Sequence, residues 1–382
     1  LNQNAKDLKM DKFEALGRAD VNSIASILAD DAIDFGTDEH STPIGGDTVF
    51  TWNYERTRPG LSKLYERAKT SQWNVSTDLD WSIEVDIEKV AREMQVAFQG
   101  MRDSFTAIPN SPLKLWSDKE WEVFATEAFN WRMSQFLHGE QGALLCTAKI
   151  VNTTPWIDAK YYAATQVVDE ARHVEVFARY LDTKLDGHYP VNANLQLLID
   201  DILLDSRWDM TYMGMQIMIE GLALAAFGMM HAITTEPLLK SLLRYVMSDE
   251  ARHVAFGVLS LQEFYQGLDN NEIKERQEFA FESALRMRDR LMMHTVWEKC
   301  GISRKTVTEM FMAFQSTGTN PFQAALFSKI VPNCKKLGLL DAGDGWLRDR
   351  FTEIGVIDYE DAPDTEIEYA LFDAVNQEEL VG

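Results

Sequence analysis

The hexapeptide DEARHV stands twice in this chain, at Asp169–Val174 and at Asp249–Val254. In each copy a glutamate precedes a histidine by three residues, giving the pairs Glu170/His173 and Glu250/His253. Side chains at i and i+3 share one face of an α-helix, so each copy sends one carboxylate and one imidazole the same way. Upstream of each copy a lone glutamate interrupts an apolar stretch, Glu140 in FLHGEQGALL and Glu220 in IMIEGLALAAF. The intervals Glu140 to Glu170 and Glu220 to Glu250 are both 30 residues. At ~1.5 Å rise per residue this is one helix, a turn and the return along a second helix. Two such hairpins bring four carboxylates and two imidazoles to one level. A four-helix bundle that holds two metal ions in its core needs that set.

Apolar residues recur at helical spacing around each motif. Ser117-Asp-Lys-Glu120 reads as a capping box that opens the first bundle helix. Its stripe runs through Phe124, Phe129, Met133, Phe136, Leu137, Ala143 and Leu144, with Glu140 on it, and Pro155 ends it. The second helix is expected over 157–184, with Ala163, Val167, Phe177 and Leu181 in phase with Glu170 and His173. A polar stretch with Gly187 and Pro190 separates the two hairpins. The third helix spans 208–233, with Met213, Ile217, Ala223, Leu224 and Phe227 around Glu220. Pro237 starts the fourth, which runs to about 266 with Leu243, Val246 and Gly257 in phase with Glu250 and His253.

Outside the bundle, 1–57 reads as short helices and loops around the turn-rich GTDEHSTPIGGD. Pro59 opens a helix through LSKLYERAKTSQW; the polar NVSTDLDWS leads to a helix over 86–105, and Pro109 and Pro112 break the chain. Helices are expected at 271–299, 303–315 and 321–337, and strand signals are nearly absent. The expectation is one all-α domain over 1–382: an N-terminal helical extension (1–116), the bundle with a flanking helix (117–300), C-terminal helices (301–355) and an acidic tail (356–382) without Lys or Arg, read as solvated.

The formal charge of −23 argues against nucleic acid and anionic membrane surfaces as partners. Cys146, Cys300 and Cys334 lie far apart in no CxxC pattern, which suits a reducing cytoplasm. No signal peptide is visible, and charges interrupt every apolar run before the 18–20 residues of a membrane span.

Glu140 and Glu220 stand where core residues belong, and a buried carboxylate is costly unless paired or metal-bound. Four carboxylates neutralise two divalent cations. Carboxylate and imidazole without thiolate suit iron or manganese better than structural zinc. A metal-bound histidine usually donates its other N–H to a carboxylate. Asp169 and Asp249 are the obvious acceptors, across the helix pair, with Arg172 and Arg252 beside them. Small residues at Ala143 and Ala223 leave room beside the metals, or serve close helix packing. His138 is out of phase with the stripe, and His231 is structural or exposed. The expected pocket wall is Phe136, Ala143, Phe177, Ala223 and Leu224, all in phase with the six donors.

The constellation over roughly 117–300 resembles the ferritin-like superfamily, in particular its oxygen-activating di-iron carboxylate branch of monooxygenase hydroxylases, ribonucleotide reductase small subunits and related oxygenases. LYERAKTSQWN and DLDWS look, more loosely, like a segment preceding the bundle there. The resemblance implies a ferritin-like four-helix bundle with Glu140, Glu170, His173, Glu220, Glu250 and His253 as ligands of two iron ions or of manganese. It implies bridging or shifting roles for Glu170 and Glu250. The chain departs from each subgroup. Phe177 stands where the reductase subunits carry a radical tyrosine, and Glu140 where they often use Asp. Leu224 stands where hydrocarbon hydroxylases have Thr, and Val246 where arylamine oxygenases have a further His. The expected function is a cytoplasmic oxidoreductase that uses dioxygen to hydroxylate, desaturate or cleave a small organic substrate. No flavin, nicotinamide or iron–sulfur motif occurs in the chain, so a reductase or ferredoxin is expected as electron donor. A homodimer is an expected assembly. A ferroxidase and a radical-generating subunit are the alternatives.

Overall fold

The computed structural model describes residues 39–185, 187–315 and 321–362, and no strand occurs among them. The four long helices α4 (Asp118–Thr153), α5 (Ile157–Lys184), α7 (Trp208–Ile233) and α8 (Pro237–Tyr265) form two antiparallel hairpins packed into a bundle. Ahead of them come α1 (Pro59–Thr70), α2 (Ile87–Ala97) and α3 (Gln99–Ala107); α6 (Ala193–Leu204) lies between the hairpins. After them come α9 (Asn270–Asp289), α10 (His294–Lys299), α11 (Arg304–Gln315), α12 (Pro321–Lys336) and α13 (Trp346–Glu353).

Local chemistry sets the bundle's ends. Ser117 Oγ accepts from the Glu120 backbone N–H, and the Glu120 carboxylate accepts from the Ser117 N–H at 2.6 Å. This capping box starts α4 where the sequence puts it. Glu236 caps α8 by accepting from the N–H groups of Leu238 and Leu239 at 2.9 and 2.6 Å, with Pro237 at the first helical position.

Several expectations are corrected. Residues 39–58 form no helix; they run as an extended strap over the bundle. The buried Asp158 carboxylate pins it by accepting from the N–H groups of Thr57 and Arg58 and the hydroxyl of Ser62. The rest of 1–57 lies outside the described residues. The helix expected over 86–105 is two helices that break at Phe98. The stretch assigned to a plain connection holds α6, whose last carbonyls accept from the buried Lys149 ammonium of α4. The helix expected over 271–299 breaks at a 3₁₀ turn, Arg290–Met292, followed by Met293 at φ 51° in the left-handed region. The acidic tail is not solvated from its start. Val356 is buried, Ile357 and Tyr359 pack on the core, and Glu360 and Asp361 pair with Arg348 and Lys335. Residues 363–382 lie outside the described residues.

Helix α7 is long and apolar enough to cross a membrane by length and composition, contrary to the expectation that charges break every such run. Of its most apolar window, 83% is buried inside the protein, which makes it the core helix. It is also irregular. Met213–Ile219 forms a π-helical turn ending at Glu220, and such turns cluster at functional sites. Gly257 of α8 faces that turn; a Cβ there would lie 2.4 Å from Gln216 Cβ, so only glycine admits the approach. Cys146, Cys300 and Cys334 form no disulfide.

Candidate metal centre

The i, i+3 pairs of α5 and α8 and the lone glutamates of α4 and α7 meet in the bundle core, all six buried. They form two overlapping groups, Glu140/Glu170/His173/Glu250 and Glu170/Glu220/His253; within each, one donor atom per residue lies within 4.8 Å of the others. Glu170 belongs to both. Its Oε2 lies 3.4 Å from His173 Nδ1 and its Oε1 3.2 Å from His253 Nδ1. Glu250 likewise faces both rings, at 3.1 Å from His173 Nδ1 and 3.7 Å from His253 Nδ1. Glu140 stands on the His173 side at 3.2 Å, and Glu220 on the His253 side at 3.8 Å.

The outer nitrogens are held crosswise. His173 Nε2 lies 3.1 Å from Asp249 Oδ2 of α8, and His253 Nε2 lies 3.3 Å from Asp169 Oδ2 of α5. Each aspartate therefore orients the imidazole of the opposite helix, as the sequence suggests. Arg172 bonds Asp169 and Arg252 bonds Asp249. Arg172 Nη2 also reaches 3.6 Å from Asp249, and Arg252 Nη2 3.8 Å from Asp169, closing a four-residue charge network.

The sequence reading missed three contributors. Trp73, just past α1, donates its Nε1–H to Asp249 Oδ2 at 2.8 Å and stacks on Tyr245. Gln72 bonds Arg172 and reaches Asp169. Gln166 donates to Glu170 Oε1 at 3.0 Å and to Glu220 Oε1 at 2.7 Å. A polar residue one turn before Glu170 on the core stripe was a readable signal for Gln166; nothing local marks Trp73, which only the tertiary fold brings in. His138 bonds the Tyr189 carbonyl and His231 is half-buried; neither belongs to the two donor groups.

Electrostatically the six donors are poised for cations. Burial, then the charge of Glu250, push the Glu140 carboxyl up from 4.5 to about 8. Burial lifts Glu220 well above 4.5, against the pull of His253. Glu250 is also pushed up by burial, but the two imidazoles outweigh this and hold it low. Burial opposes charge on His173 and His253, yet the surrounding carboxylates raise both well above 6.5. Glu170 Oε2, Glu220 Oε2, both Glu250 oxygens and His253 Nδ1 are buried without a hydrogen bond. An unsatisfied buried polar atom costs roughly 1–3 kcal/mol, more for a charged group. Five such atoms converging on one point fit a pair of bound cations, and the cluster is able to hold two metal ions.

A cavity of about 90 Å³ opens on Glu140, Glu220 and Glu250. Phe136, Ala143 and Ala223 line it as expected; Phe177 and Leu224 do not. The cavity lies between α4 and α7 and takes nothing from α5; Phe177 packs behind its wall, against Phe136 at 5.7 Å and Phe227 at 5.6 Å. Leu224 joins Phe177 and Phe227 in the same apolar cluster. Met215 and Ile219 line the cavity instead. Both sit in the π turn, where the 3.6-residue phase used to read the sequence fails.

No protein-family model matches this chain, and no curated protein matches it. Solved structures of R2-like ligand-binding oxidase variants with a reconstituted Mn/Fe cofactor do match. One, reconstituted aerobically, aligns with a TM-score of 0.50 at 16% identity, over 75% of this chain and 94% of that one. Two reconstituted anaerobically align at 17% identity with TM-scores of 0.48 and 0.49, over 75% of this chain and 94% and 95% of theirs. The first of these establishes the fold: this is the all-helical, ferritin-like bundle of the R2-like oxidases.

Proposed function

We propose that the protein is a di-metal oxidoreductase that uses dioxygen to oxidise a small organic molecule. The observation that carries this reading is that the apolar cavity opens directly on three of the six clustered donors. Glu140, Glu170, His173 and Glu250 would hold one metal, and Glu170, Glu220 and His253 the other. Two iron ions, or manganese with iron as in the solved neighbours, suit a set of oxygen and nitrogen donors without thiolate. The bound pair supplies dioxygen activation.

Everything else falls to the chain. Asp249 and Asp169 accept the outer N–H of His173 and His253 and so turn each Nδ1 lone pair inward. Arg172 bonds Asp169 and Arg252 bonds Asp249, which fixes both carboxylates against the imidazoles. Gln166 orients Glu170 and Glu220. The Met- and Phe-rich wall positions the substrate and excludes water from the reacting centre. Electrons beyond those of the substrate come from an external reductase or ferredoxin. Hydroxylation, desaturation and oxidative cleavage all fit this arrangement. An apolar wall favours an organic substrate over a ferroxidase, for which a polar path for iron is needed.

The test loads the protein anaerobically with ferrous iron, or with manganese and iron, and adds oxygen with and without candidate substrates plus a reductant. Oxygen uptake accelerated by an organic compound, with an oxidised product by mass spectrometry, is expected. Iron oxidised and mineralised with no organic product across the screen would replace this reading with the ferroxidase one.

A further inference from the structure

The extended strap, far from the donors in sequence, is where this protein shows aromatic rings to solvent. Phe50, Trp52 and Tyr54 are 70%, 74% and 61% exposed, and no other Phe, Trp or Tyr among the described residues is exposed. They occupy alternate positions, while Val49 and Thr51 between them are half-buried, which is the two-residue period of a β-strand. Phe50 and Trp52 stack at 5.3 Å, and Ile44 earlier in the strap is 66% exposed. One edge of the strap is fixed to the bundle. The Gly45 N–H donates to the Leu203 carbonyl and the Val49 N–H to the Asn152 carbonyl, both at 2.8 Å, and the Thr51 hydroxyl donates to the Pro155 carbonyl at 2.8 Å. The other edge is open: no backbone N–H in 50–54 donates a hydrogen bond among the described residues. An extended segment with an unpaired edge is a template for a further strand, and proteins that do not use such an edge guard it with Lys, Pro or another charge. Residues 48–54 contain none of these.

We propose that the strap is an interface between two copies of this chain, in which the open edges and aromatic rows of both straps pair antiparallel about a two-fold axis. Symmetry, charge and area select a second copy as the occupant. Antiparallel pairing about a two-fold axis sets 50–54 against the same residues of the other copy and gives each free N–H a carbonyl to meet. Trp52, the middle ring of the row, then faces Trp52 of the partner subunit. Each chain carries a net charge of −23, so two copies repel wherever their acidic surfaces face. In 41–54 the only charged residue is Asp47, which makes the strap a surface on which two such chains can meet. An aromatic side chain buries about 150–250 Å², so three rings at these exposures offer about 400 Å² per copy, and Ile44 with the backbone edge brings this to roughly 500 Å². Two copies thus bury about 1,000 Å², the lower bound of a specific interface and short of an obligate one. The strap is already pinned at Gly45, Val49 and Thr51, so little of the contact energy is lost in ordering it. The expected product is a reversible dimer with a dissociation constant of about 1–100 µM. None of this depends on what the metal centre does.

Sedimentation velocity of the full metal-loaded chain over a range of about 1–200 µM tests this. The parent is expected to pass from monomer to dimer across that range. Trp52→Lys and Phe50→Lys install the missing guard on the edge, and each is expected to weaken association at least about tenfold. Both side chains are solvent-exposed, so circular dichroism and metal content should match the parent's. A lysine lowers the net negative charge, so loss of the dimer in these variants is not an effect of repulsion between copies. Leu115→Lys, at an apolar residue 89% exposed and outside the strap, is expected to keep the parent's dimer. A parent that stays monomeric throughout overturns the proposal. A dimer that survives both strap substitutions overturns it too, because the contact then lies elsewhere. So does a monomeric parent that floats with phosphatidylcholine vesicles and loses them on Trp52→Lys, because the row then meets lipid.

Discussion

His173 Nε2 lies 3.1 Å from Asp249 Oδ2, a residue of the opposite hexapeptide copy. With the reciprocal pair His253 and Asp169 at 3.3 Å, it means that each repeat holds the imidazole of the other. Neither copy makes a complete half-site alone. Duplication of DEARHV is thus functional at the level of contacts, beyond supplying two sets of donors.

The first prediction follows from that crossing. Asp249→Asn keeps the shape but removes the charge that fixes the His173 tautomer, and metal affinity is expected to fall about 10–100-fold. Competition with a chromophoric chelator reads it. Because Asp249 also accepts the Trp73 N–H, Trp73→Phe should weaken binding less than Asp249→Asn does. Unchanged affinity in Asp249→Asn would remove the support role assigned to the network.

Alanine at Glu140, His173 or Glu250 is expected to abolish oxygen reactivity while circular dichroism stays close to the parent's. The bundle is held by its apolar stripes, and for the two glutamates the loss of one of several crowded buried carboxylates also relieves repulsion in the metal-free protein. If all three variants keep full reactivity, the donors have been misassigned.

Proton linkage gives a third outcome. The Glu140 carboxyl ionises at about 8 in the folded, metal-free protein, against 4.5 ordinarily. A raised pKa contributes stability that is full below 4.5 and lost as pH rises through about 8. Glu220 and both imidazoles, also raised, act in the same direction. Asp249 is held low by Arg252 and His173 against burial, so its stability is present above 3.8 and lost only in acid, outside this window. Metal-free protein should therefore melt at progressively lower temperature from pH 5 to about 8.5, and metal should tighten its binding over the same range by displacing protons. Scanning calorimetry with and without metal checks this; a melting temperature that rises with pH in the metal-free protein contradicts it.

Ala143→Leu and Ala223→Leu should fill the cavity and block substrate-accelerated oxygen uptake while metal content holds. Phe177→Leu, outside the cavity lining, leaves the Phe136 and Phe227 rings less well filled and should cost roughly 1 kcal/mol of stability while leaving substrate acceleration intact. The reverse ranking would put the substrate on the α5 side of the metals.

What the sequence made legible follows from what repeats. Glu140, Glu170, His173, Glu220, Glu250 and His253 came together because an identical spacing occurs twice and a helix converts spacing into direction. The Ser117 capping box and the limits of α5 were readable from local chemistry alone. The π turn before Glu220 was not, because inserting one residue into a turn rotates all that follows by roughly 100° and leaves no compositional mark. That rotation is why Met215 and Ile219 line the cavity unannounced. Phe177 and Leu224 lie off the cavity lining for a related reason: a stripe in phase with the donors covers the whole core face, and only the packing of α4 against α7 shows which part is hollow. Helix α6 was hidden by Pro190 and Asn192 just before it, although Lys149 shows how firmly it is tied to α4.

The central claim is that six side chains from four helices hold two metal ions. Elemental analysis after anaerobic loading and desalting tests it most directly, on the parent and on Glu170→Ala, the residue common to both donor groups. The account predicts about two iron, or one manganese and one iron, per parent chain and less than one in the variant. One ion or none per parent chain, or a single tetrahedral zinc that excludes iron, would contradict it.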